Sequence, residues 1–136
     1  MSDLSDLSQK LSKWTLRTPL ICEPDDKRYQ EHMEELNRTG ISPDETWNLD
    51  VTMAEFILPR LKLFKKLTNV FPSELQELYP NDEDKAVEAW NKILDEMIYS
   101  FEKISQRWEI DIDKNEWDKI NDGLEKFVNW YHHLWW

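Results

Sequence analysis

A chain of 136 residues is near the common size for a single hydrophobic core. Eight tryptophans, five phenylalanines and four tyrosines argue against disorder, and no apolar run approaches the ~20 residues of a membrane span. The formal net charge of -11 sets the chain against phosphate backbones and anionic lipid, which disfavours generic nucleic-acid or membrane-surface binding.

Two glycines leave few positions for tight turns or bulges, so the composition describes an all-α fold with an aromatic core. The single cysteine, Cys22, excludes an internal disulfide and any cysteine-cluster metal site. Without a basic-then-apolar leader pattern at the N-terminus, the expected setting is a reduced intracellular one.

In chain order, Leu4, Leu7, Leu11 and Trp14 recur at steps of three and four, a short amphipathic helix over Ser2 to Trp14. Residues 15–23 contain Pro19 and read as extended. Pro24 stands as a first helical residue, followed by Tyr29, Met33 and Leu36 until Gly40 ends the run. Ser42-Pro43-Asp44-Glu45 has cap, proline and acid in the order of a single turn.

A helix then starts near Asp50 or Thr52, with Thr52 and Glu55 as a capping box, and runs to Leu67. Residues 73–78 form a short turn between prolines. Asn81 caps the longest element, whose face from Val87 through Trp90, Leu94, Met97, Phe101 and Ile104 reaches Trp108. Residues 109–112 are a link. Asp113 and Glu116 cap a last helix carrying Trp117, Ile120, Leu124, Phe127, Tyr131 and Leu134.

The expected architecture is therefore a compact all-α helical bundle, one domain over residues 1–136. A long C-terminal antiparallel helix hairpin packs on a Pro-kinked helix, and residues 1–44 cover the 45–136 core.

Several residues break this pattern. With Met53 at 0° on the 50–67 helix, Phe56, Ile57, Leu63, Phe64 and Leu67 cluster around it, and Arg60 falls among them at about 340°. A buried arginine needs an acid or several carbonyls. Asp95 and Glu102, at the margin of the hairpin stripe, are its expected partners, and the same guanidinium is a candidate site for an anionic ligand. Pro59 removes the bond to the Glu55 carbonyl and should kink the helix.

At the C-terminus, Tyr131 and Trp135 follow the core stripe, while Trp130 and Trp136 fall off it. They either pack under the N-terminal segment or anchor another protein. His132 and His133 diverge by about 100° on a helix. His32 is far away in sequence, so neither a metal site nor a cofactor is expected. No catalytic residue is assigned, because no glycine-containing elbow, phosphate loop or Glu-x-x-His repeat is present.

The segments Trp47-Asn48-Leu49-Asp50, Phe56-Ile57-Leu58-Pro59-Arg60-Leu61-Lys62, Ile93 through Glu102, Gly123-Leu124 and Leu134-Trp135 together resemble small proteins of tailed bacteriophages, a set with no established activity. The resemblance covers about residues 45–136. It implies a phage origin and expression in the host bacterial cytoplasm, and it carries over no catalytic or binding residue. The leading expectation is a non-enzymatic protein that binds or inhibits a host protein through Trp47, Trp130 or Trp136. Sequestration of a small anionic ligand such as a signalling nucleotide, through Arg60 and nearby lysines, is the alternative, and a virion-associated structural role is another.

Overall fold

The computed structural model describes residues 21–136, so the helix expected over residues 2–14 lies outside the described residues. The chain forms two compact units that divide between Phe56 and Ile57. No strand occurs among the described residues, as expected for an all-α protein, and no helix there is long and apolar enough to cross a membrane.

In the first unit, helix α1 spans Tyr29–Thr39. It begins later than Pro24 suggested because Asp26 captures the chain first. The Asp26 carboxylate accepts from the Arg28 backbone N–H at 2.8 Å and from its guanidinium at 2.9 and 3.0 Å. Such side-chain-to-backbone bonds stabilise a turn in competition with the helix. Those bonds from Arg28 also hold the Asp26 carboxyl well below the usual carboxylate range.

Gly40 ends α1 in the left-handed region, at φ 77°, with its N–H donating to the Leu36 carbonyl at 2.7 Å. The chain then reverses into a 3-10 turn, Pro43–Thr46, held by a complete capping box. Ser42 Oγ accepts from the Asp44 N–H, and Glu45 Oε2 accepts from the Ser42 N–H. Both Ser42 and Glu45 are buried, so this short turn has a rigid base.

Helix α2 spans Leu49–Leu67 and crosses the boundary between the units. It starts before Thr52, whose hydroxyl donates back to the Glu45 carbonyl at 2.9 Å. Pro59 lies within the helix at an exposed position. The buried face differs from the one expected. Ala54 and Leu61 are buried, whereas Met53, Phe56, Leu63 and Leu67 are exposed. The helix carries two apolar lines about 90° apart, and the inward one has the smaller residues. Weighting by side-chain size picks the other.

The second unit continues with α3, Ser73–Leu78, followed by α4, Glu83–Ser105, and α5, Lys114–Trp130. The cap of α4 is Asp82 rather than Asn81, its carboxylate accepting from the Lys85 N–H at 3.1 Å. An anion there also complements the positive helix end. Helix α4 stops at Ser105, three residues short of Trp108, and Asp113 caps α5 as its sequence indicated.

Helices α4 and α5 form the expected antiparallel hairpin, with contacts that descend α5 as they ascend α4. Trp90 meets Trp130 edge-on at 5.8 Å between ring centroids, and Glu96 pairs with Lys126 at 3.6 Å. Ser100 Oγ donates to the Ile120 carbonyl at 2.7 Å, and Lys103 pairs with Glu116 at 3.1 Å. Leu94, Met97 and Ile120 lie fully buried in this unit. Lys65, near the end of α2, reaches Asp95 of α4 at 2.6 Å.

Gly123 sets the hairpin spacing. A Cβ there would overlap Ser100 Oγ and the Glu96 carbonyl oxygen, both on α4. Alanine would gain about 1 kcal/mol in helix propensity, but overpacking of this kind costs about 1–3 kcal/mol, and backbone cannot rotate away. Gly123→Ala is therefore expected to lower the denaturation midpoint. Adding Ser100→Ala should not restore it, because the Glu96 carbonyl still stands in the way.

Candidate functional site

The fold gathers three chemically distinct side chains within the first unit. Cys22 precedes α1, His32 sits in the first turn of α1, and Asp44 sits in the 3-10 turn. The His32 backbone N–H donates to the Arg28 carbonyl at 3.0 Å, which fixes the position of its ring on the helix. One oxygen of Asp44, Oδ2, is the hub. It accepts from the Cys22 backbone N–H at 2.9 Å and the Ser42 hydroxyl at 3.1 Å, and lies 2.8 Å from His32 Nδ1. Cys22 Sγ lies 3.7 Å from the same His32 nitrogen.

The proton positions follow from what each group can do. An ionised carboxylate only accepts, so His32 Nδ1 carries the hydrogen. Partial burial works to raise the pKa of Asp44, but the bonds from His32, Cys22 and Ser42 outweigh it and hold the carboxyl below its usual range. Burial pushes the Cys22 thiol up, reinforced by the carboxylates of Asp44 and Asp26. The thiol is thus a protonated, poor nucleophile at neutral pH.

A Cys–His–Asp relay needs the thiol on one ring nitrogen and the carboxylate on the other. Here sulfur and carboxylate face the same nitrogen. The arrangement converges three donor atoms on one place and does not align them for proton transfer. All three ligand atoms lie within 4.8 Å of one another, and all three residues are half-buried.

No residue of this cluster was assigned from sequence. The separations of ten and twelve residues match no regular ligand spacing, and only the chain reversal after Gly40 returns Asp44 to His32. Ser42-Pro43-Asp44-Glu45 was readable as a turn, but where it would land was not.

The residues singled out by sequence are distributed differently. Arg60 is half-buried on α2, and Glu102 is half-buried on α4. Asp95 pairs with Lys65 at 2.6 Å.

Trp130 is half-buried against Trp90, and its ring also lies 5.5 Å from that of His133 between centroids. Trp47 is 79% exposed and Trp136 is 66% exposed. Tyr131 and Trp135, expected in the core, are also exposed. The helix stops at Trp130 and gives way to a 3-10 turn over Tyr131–His133, so α-helical phase no longer applies to them.

Asp44→Ala would strand the Cys22 N–H, the Ser42 hydroxyl and the His32 ring. It is expected to destabilise the first unit by about 1–3 kcal/mol near neutral pH. A folded pKa below the unfolded value stabilises above the ordinary carboxylate range and is lost as pH falls through it. The mutational effect should therefore shrink on acidification, read by hydrogen exchange along α1. In comparisons with known proteins, no family model, curated protein or solved structure matches this chain.

Proposed function

We propose that the protein acts by binding, and that its partner is a basic host protein whose activity the complex inhibits. The observation that carries this reading is the exposed apolar surface at the end of the second unit. Val128, Tyr131, Trp135 and Trp136 are all exposed within the last nine residues. Exposing that much aromatic area to water is unfavourable, and buried aromatics dominate the energetics of protein interfaces. Trp135 is partly pre-organised, its indole N–H donating to the His132 carbonyl at 3.1 Å.

Charge selects the partner class. A chain at -11 attracts a basic surface and speeds encounter with it, while the aromatic side chains supply the desolvated contact. Trp47 offers a further exposed indole in the first unit. Host cytoplasm as the setting, and phage origin, rest on the sequence resemblance alone. Sequestration of an anionic ligand has less support, because Lys65 is neutralised by Asp95 and Lys62 and Lys66 are exposed.

The test compares wild type with a Trp135→Ala/Trp136→Ala double variant, both immobilised and exposed to bacterial lysate. Wild type should retain a basic protein that raised salt releases, and the variant should bind it about 30-fold more weakly, as for the loss of a hot spot worth ~2 kcal/mol. Circular dichroism should be unchanged, since both side chains are exposed. Equal retention by both proteins, retention of acidic proteins alone, or self-association of wild type on gel filtration would each overturn the reading.

A further inference from the structure

We infer that Cys22, His32 and Asp44 form a binding site for a borderline-soft divalent metal ion of the zinc class. The inference is independent of the protein-binding reading, since the tryptophans of that surface take no part.

The donor set is the first argument. One thiolate sulfur, one imidazole nitrogen and one carboxylate oxygen suit zinc and its close analogues, whereas calcium and magnesium require oxygen ligands. Thiolate and carboxylate together carry two negative charges, which neutralise a divalent cation in a half-buried position. The three donors come from separate stretches of chain, each anchored by its own backbone or capping bonds.

Distance is the second argument. Zinc–ligand lengths of about 2.3 Å to sulfur and about 2.0–2.2 Å to nitrogen and oxygen, at tetrahedral angles, separate sulfur from nitrogen by about 3.6 Å and nitrogen from oxygen by about 3.4 Å. Cys22 Sγ and His32 Nδ1 already stand at 3.7 Å. His32 Nδ1 and Asp44 Oδ2, at 2.8 Å as hydrogen-bond partners, need only open by a fraction of an ångström when the ion replaces the shared proton. Sulfur and Oδ2 lie within 4.8 Å of one another, against about 3.6 Å around a tetrahedral ion, a difference that side-chain rotation can close.

The proton balance is simple. On binding, the Cys22 thiol loses its hydrogen to solvent, and the imidazole hydrogen leaves Nδ1 while Nε2 takes one up, so His32 coordinates as a neutral ring. Ser42 and the Cys22 backbone N–H continue to donate to Asp44 and hold its carboxylate in place, the supporting role that hydrogen-bonded partners play around metal ligands. Three protein ligands leave a fourth position open for water or an incoming donor.

The competing account is an ordinary His32–Asp44 pair with a thiol beside it. Cobalt(II), a spectroscopic stand-in for zinc, separates the two. The full chain, stripped with a chelator, is titrated with cobalt(II) and then with zinc(II). The expected result is saturable one-to-one uptake, intense tetrahedral d–d bands, a sulfur-to-metal charge-transfer band, and bleaching by zinc. Cys22→Ser should remove the charge-transfer band and weaken binding by more than the roughly 100-fold that loss of a supporting hydrogen-bond partner can cost. Zinc should raise the melting temperature of wild type but not of Cys22→Ser, whose unchanged circular dichroism would establish that it is folded. Absence of uptake overturns the inference. So does a weak octahedral spectrum that Cys22→Ser leaves unaltered, since that would place the ion on surface carboxylates.

Discussion

The second unit depends on the closeness of two backbones. At Gly123 the α5 chain approaches α4 so nearly that Ser100 Oγ and the Glu96 carbonyl occupy the space where any side chain would begin. Ser100 turns the approach to use by donating to the Ile120 carbonyl, a polar side chain satisfied in a fully buried position. Once that crossing is fixed, the rest of the interface has little freedom. Trp90 reaches Trp130 on one side, and Lys103 reaches Glu116 on the other. The flanking ion pairs are partly exposed and contribute little energy. Their role is to agree with a register that packing has already chosen.

Much of this was legible because the signals were local and repeated. Asp113 caps α5 where the sequence placed it, Ser42 and Glu45 form the box their spacing suggests, and Trp90, Leu94, Met97, Phe101, Ile104 and Ile120 of the two long stripes are buried, while Val87, Trp108 and Trp117 at the stripe ends are exposed. The failures arise where a local rule was extended past its range. Tyr131 and Trp135 were phased as α-helical beyond Trp130, where the backbone tightens. On α2, two apolar lines competed, and the bulkier one containing Met53, Phe56, Leu63 and Leu67 lies outward. Periodicity identifies an amphipathic helix well but cannot rank two faces that both qualify.

The candidate site was illegible for a different reason. Cys22, His32 and Asp44 each look ordinary in sequence: a lone thiol, a helical histidine and a turn aspartate. Their chemistry is a property of the tertiary arrangement, with no regular spacing to advertise it. The aromatic surface is the opposite case. Tryptophan abundance was plain from composition, and which indoles are covered was decided by the fold: Trp90 is 2% exposed, while Trp47 and Trp136 lie open. Neither unit spends its aromatics uniformly, and the uncovered ones set its outward chemistry.

Gly40 carries a consequence larger than its size. Its torsion has the sign that side-chain-bearing residues seldom adopt, although a methyl group there would touch nothing within 4 Å. The restriction is one of handedness and not of room. Reversing direction at that single residue is what sends the following turn back toward the preceding helix. The meeting of sulfur, nitrogen and oxygen donors is thereby set by the sign of one backbone torsion, at a residue that contributes no donor of its own.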